Sequence, residues 1–162
     1  MISVLVRQKQ YDNARHMMDT QIEQWRAKAS AESLERLRAS LEGSIALEEG
    51  KYADAVTRMQ AALPAKSGKD PASEALGRAF LGAGEAEKAA KIFQRIVDDP
   101  DRYADPVGYI QCLQKLGEAN EKLGKKNEAI QAYKQVLRWW ETTDFPQPEP
   151  EAARQGLKRL GG

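Results

Sequence analysis

The fold is decided by one stretch, Leu116–Leu137, LGEANEKLGKKNEAIQAYKQVL. Its composition is that of a helix, yet it carries Gly117 and Gly124 and places the small Ala129 among larger neighbours. A glycine inside a helix costs roughly 1 kcal/mol relative to alanine. Two of them in one helical pattern are explained if the run is two helices that turn at Gly124 and pack closely at Gly117 and Ala129.

Working outward, the same frame recurs. KQYDNARHM, GKYADAVTRM, GEAEKAAKIF and GKKNEAIQAY each begin with a turn residue. An alanine follows five positions later, at Ala14, Ala55, Ala89 and Ala129, and a large apolar residue four after that, at Met18, Met59, Phe93 and Tyr133. Seven residues before turn glycines Gly50, Gly84 and Gly124 stand Gly43, Gly77 and Gly117. Helical spacing fills the rest, as in Leu34, Leu37, Leu41, Ile45 and in Ile130, Tyr133, Leu137, Trp140. Asp70-Pro71 and Asp105-Pro106 each pair a capping side chain with a proline suited to the first helical position. These signals predict helices over 2–8, 10–28, 31–49, 51–63, 71–82, 85–98, 106–123, 126–142 and 150–160. The three prolines of 144–149 and its neighbour predict an extended linker.

The frame resembles the tetratricopeptide repeat (TPR), a helix-turn-helix unit of 34 residues. The resemblance implies an all-α, right-handed superhelix of antiparallel helix pairs ending in a capping helix, organised as one domain over 1–162. Its parts are a partial repeat at 1–35, repeats at 36–69, 70–103 and 110–143, the linker 144–149 and the cap 150–162. The third repeat departs from the pattern at its eleventh position, which holds Asn120 rather than an aromatic residue. Spacing between repeat alanines exceeds the period at two places. The first excess predicts that residues 29–35 lengthen a helix, and the second an irregular connector in PDRYADPVG with an early start to the next helix. In the last helix, Ala153, Leu157 and Leu160 share a face that would cover Trp139, Trp140 or both. The N-terminal piece reads as a repeat whose first helix is short, leaving an apolar edge at Ile2, Val4, Leu5 and Val6.

Composition excludes several functions. The 162 residues are 41% hydrophobic and 30% charged with net charge +1, which fits a globular domain without the basic face of a nucleic-acid binder. No apolar run reaches the ~18 residues that span a bilayer. His16 is the only histidine and Cys112 the only cysteine, so neither a zinc site nor a Cys-His nucleophile pair is formed. Neither residue type nor spacing suggests a cofactor site, and the expectation is a protein that is not an enzyme. Asp98–Asp105 is acidic but fails the calcium-loop pattern. A single free thiol fits a cytoplasmic location.

The resemblance places the partner-binding groove on the first helix of each repeat. Its polar positions are Ser40, Ser44 and Glu48, then Glu74 and Arg78, then Gln111, Gln114, Glu118 and Lys122. The Lys and Asn set with which some members clamp a peptide carboxylate is missing. The expected function is a non-catalytic scaffold for a peptide or protein partner. The last third of the chain further resembles the terminal arrays of large bacterial signalling and regulatory proteins, which implies a module of a larger protein. Alternatives are a self-association element built on the N-terminal half-repeat and a small-molecule-sensing regulatory domain.

Overall fold

The computed structural model describes residues 2–63, 73–99, 106–140 and 148–161. Within them all regular structure is α-helical: α1 Ile2–Arg7, α2 Tyr11–Trp25, α3 Ala31–Glu48, α4 Tyr52–Ala61, α5 Glu74–Gly82, α6 Ala86–Asp98, α7 Pro106–Lys122, α8 Lys126–Trp140 and α9 Pro148–Leu160. They form two compact units, Met1–Pro71 and Ala72–Gly162.

In the first unit α1 packs on α2, α2 on α3 and α3 on α4. The N-terminal edge is less open than the sequence suggests. Ile2 and Val6 are buried against Ala14, Met18 and Ile22 of α2, and Val4 alone among the expected edge residues is exposed, at 51%. A six-residue helix is too short to persist alone, so its order comes from this burial. Residues 31–35 do lengthen α3, whereas Ala29 and Ser30 lie outside it. The Ser30 side chain stops the helix there by accepting the Ser33 N–H at 3.2 Å.

In the second unit each helix packs on the next from α5 to α9, and α7 also touches α5 and α9. Pro106 opens α7, where φ is already suited to a helix. Pro71 does not open α5. That helix begins at Glu74, and the Ser73 hydroxyl caps it by accepting the Leu76 N–H. The expected caps Asp70 and Asp105, the connector before Pro106 and residues 144–147 of the linker lie outside the described residues. Pro148 and Glu149 belong to α9, which starts two residues earlier than its expected 150.

The three turns are built alike. Gly50, Gly84 and Gly124 have φ of 77°, 83° and 71°. The following residue donates its N–H back to the helix, Lys51 to Ala46, Glu85 to Phe80 and Lys125 to Asn120, at 2.8–2.9 Å. This six-residue closure satisfies carbonyls that the helix end would leave bare, and it requires a left-handed residue. The turn after α1 is the same, with Gln10 N–H bonded to Leu5 O at 2.9 Å, but the left-handed residue is Lys9 at φ 57°.

Gly43, Gly77 and Gly117 reveal what the repeat glycines are for. A Cβ on each would lie 2.7 Å from Met59, 2.8 Å from Phe93 and 2.4 Å from Tyr133. In every pair the large residue stands sixteen positions after the glycine. The volume left by the missing side chain is therefore filled by the large residue of the partner helix. Backbone approach, the reason expected from sequence, is evident at Gly43, where Met59 N would be 3.2 Å and Ala55 O 3.4 Å from such a Cβ. Ala129 is fully buried beneath Tyr133 in the same cluster.

Tyr133 is also where α9 docks. Gly156 of α9 meets the opposite edge of the ring, and a Cβ there would lie 2.3 Å from Cε2. The hydroxyl donates to Glu121 Oε2 at 2.7 Å. Arg159 of α9 grips the same carboxylate through Nε at 2.7 Å and Nη2 at 2.9 Å. Ala153 and Leu157 are buried, and Leu160 and Trp140 pack on the same cluster, as the face of α9 predicts. Trp139 is 51% exposed, with Tyr109 edge-on at 5.9 Å, so α9 covers one indole and not the other.

Two outcomes follow for this fold. Lys9→Gly removes a left-handed lysine, and the gain of about 0.5–1 kcal/mol should appear in denaturant unfolding; a loss of stability would contradict the turn assignment. The Glu121 carboxyl is held below its usual 4.5 chiefly by the Arg159 hydrogen bond, against the opposing effect of burial. A depressed carboxyl contributes stability above its unfolded value and loses it as pH falls through the folded one. The melting-temperature gap between wild type and Glu121→Gln should be full at neutral pH and close below pH 4.5. A gap independent of pH would contradict the ion pair.

Candidate functional site

The expected groove residues are distributed unevenly. On α3, Ser40 and Glu48 are exposed and Ser44 is half-buried. The Ser44 hydroxyl is turned back to the Ser40 carbonyl at 3.0 Å, and the Glu48 carbonyl accepts the Tyr11 hydroxyl at 3.0 Å. These α3 positions belong to the first unit.

In the second unit the helical period does assemble a site. Gln111, Gln114, Lys115 and Glu118 share one face of α7, and Glu74 and Arg78 share one face of α5. With Ala152 of α9 they enclose a cleft of about 370 Å³. Five of the nine expected residues thus meet there: Glu74, Arg78, Gln111, Gln114 and Glu118. Lys122 is exposed on α7 one turn further on and does not line the cleft.

The polar groups are largely engaged with one another. Lys115 Nζ donates to both Glu118 oxygens, at 3.0 and 2.8 Å. Gln114 Nε2 donates to Glu118 Oε1 at 3.3 Å. The charges of the wall, two carboxylates and two cations, balance. Gln114 is 4% exposed, and its Oε1 is buried without a donor among the described residues. Such an acceptor is destabilising by about 1–3 kcal/mol until it is matched. This set of carboxamides, paired charges and a methyl suits non-covalent recognition. Cys112, on the same helix, is fully buried, and His16 is exposed on α2 in the other unit. Among the described residues no group of three His, Cys, Asp or Glu side chains could hold a metal ion, and no helix is long and apolar enough to cross a membrane.

Sequence reasoning missed Lys115 and Ala152. Lys115 was legible, four residues after Gln111 and three before Glu118. Ala152 was not, because the position of α9 is set by the ring of Tyr133 and by Arg159 rather than by any local pattern.

Tetratricopeptide repeat models match residues 40–105 and 110–139. Solved structures agree in fold. The Q17M form of nearly identical TPR-like repeats from Podosopora anserina is 17% identical, with TM-score 0.69 over 98% of this chain and 81% of that one. A TPR-like protein from Chlorobium tepidum is 18% identical, with TM-score 0.59 over 80% of this chain and 94% of that one. No curated protein matches the chain. The matched repeats span more than half of the residues, agree with the glycine turns and the glycine–ring pairs, and establish that the chain belongs to the tetratricopeptide repeat family, whose repeats generally mediate protein–protein interaction and scaffolding.

Proposed function

We propose that the chain is a non-catalytic interaction module and that the cleft between α5, α7 and α9 receives an extended segment of a protein partner. One observation carries this reading: five residues expected at groove positions line a single cleft, together with a buried acceptor that lacks a donor among the described residues. An extended polypeptide offers N–H donors at regular intervals, and Gln114 Oε1 is the acceptor that such a chain would satisfy after a small turn of the carboxamide. The wall's charges are already matched, as with Lys115 and Glu118, so the cleft favours a partner segment of mixed or neutral charge over a bare carboxylate. The C-terminal resemblance supports placing the module in a larger bacterial protein, and the single free thiol supports a reducing, cytoplasmic setting. Burial of Ile2 and Val6 leaves Val4 as the exposed apolar residue of α1, a smaller surface for self-association than the four-residue edge expected.

A photo-crosslinking residue at position 111 tests the assignment in cells, with the partner peptide mapped by mass spectrometry. One defined segment should be captured. Arg78→Glu with Glu118→Lys should weaken its binding by about tenfold or more, or ~1.4 kcal/mol, while Lys134→Glu on exposed α8 surface should not. A turnover activity abolished by the cleft variants, with no segment captured, would overturn the proposal.

A further inference from the structure

A second cleft opens on a different face of α7, and its origin is visible in the repeat frame. A shift of forty residues carries Gly77 onto Gly117, Ala89 onto Ala129 and Phe93 onto Tyr133. The same shift carries Phe80 onto Asn120 and Lys88 onto Glu128. In the second repeat Phe80 is 4% exposed and Lys88 Nζ stands 5.2 Å from its ring centroid. In the third repeat the aromatic ring is missing, and a cleft of about 260 Å³ lies between α6, α7 and α8. Val97, Leu113, Leu116 and Ala132 give it its apolar surface, and Gln94, Asn120, Asn127, Glu128, Gln131 and Gln135 line it with polar groups.

Asn120 is 6% exposed, and its carboxamide forms no hydrogen bond among the described residues. Its amide is open to the cleft, where a matching group from outside can reach it. The apolar residues of the cleft suit a flat ring. Asn120 can accept a hydrogen bond, and the Glu128 carboxylate replaces a cation with an acceptor, so the complementary group is a ring that ends in a donor.

We propose that this cleft is a docking socket for one aromatic side chain of a protein partner, a tyrosine or tryptophan, whose ring occupies the place of the missing aromatic and whose O–H or N–H donates to Asn120. The site is separate from the α5–α7–α9 cleft and does not depend on it. Aromatic anchors seated in apolar pockets dominate many interfaces, and here the host frame itself has left the pocket.

The test uses side-chain analogues on the full chain, with binding read from amide chemical shifts. 4-Methylphenol and 3-methylindole should perturb Val97, Leu116 and Ala132, and toluene, which has the ring without the donor, should bind about tenfold more weakly. Asn120→Phe should fill the cleft, raise the melting temperature and abolish binding of all three. Asn120→Leu, which keeps the fold with a smaller change of shape, should remove the preference for 4-methylphenol over toluene. The proposal is overturned if the analogues leave these resonances unmoved, if toluene binds as well as 4-methylphenol to the wild type, or if Asn120→Phe lowers the melting temperature.

Discussion

The ring of Tyr133 lies between two glycines on two different helices, Gly117 of α7 and Gly156 of α9, and its hydroxyl ends on a carboxylate that Arg159 also holds. Neither glycine position has room for a methyl group while the ring is there. Packing at this density leaves α7, α8 and α9 little freedom to slide, because a shift of one helix drives backbone into the ring. The hydrogen bond keeps the buried phenol satisfied, and burial with the neighbouring Glu121 pushes its ionisation well above the ordinary tyrosine range. The phenol therefore stays neutral at any physiological pH. The same logic operates with Met59 and Phe93 against Gly43 and Gly77, without the second glycine and without the ion pair.

The candidate cleft depends on this arrangement. Its α7 wall is fixed by the glycine–ring contact, and Ala152 reaches it because α9 is docked through Gly156 and Arg159. The two clefts use different faces of α7, one lined largely by paired charges and carboxamides and the other by apolar residues together with Asn120 and further polar groups. The helix held by the glycine–ring contact thus also lines both clefts. A rigid helix would lower the ordering cost of the binding proposed for these clefts.

Much of this was legible in the sequence because glycine and alanine positions report packing directly. The recurring Gly, seven residues on to Gly, five to Ala and four to a large residue located the turns and the crossings, and helix ends fell within three residues of the structure. What the pattern misjudged has local physical causes. Pro71 looked like a helix start, but Ser73 supplies a cap closer to the first apolar residue, Leu76. Ile2 and Val6 looked like an open edge because a six-residue helix has no pattern of its own; its burial against α2 is tertiary. The candidate cleft was partly legible. Residues at set positions on α5 and on α7 as far as Glu118 line it, whereas Lys122 does not. Gly156 and Arg159 carried no signal, since their roles appear only once Tyr133 is in place.

The central claim is that each repeat glycine exists to admit the large residue sixteen positions later. A double-mutant cycle between Gly117→Ala and Tyr133→Leu measures this. In the wild type the alanine should destabilise by about 1–3 kcal/mol through overpacking. In the Tyr133→Leu background that cost should vanish or turn into a gain of about 0.5–1 kcal/mol, because alanine is the better helix former. Equal costs in both backgrounds would show that the ring and the glycine are not coupled, and would contradict the account.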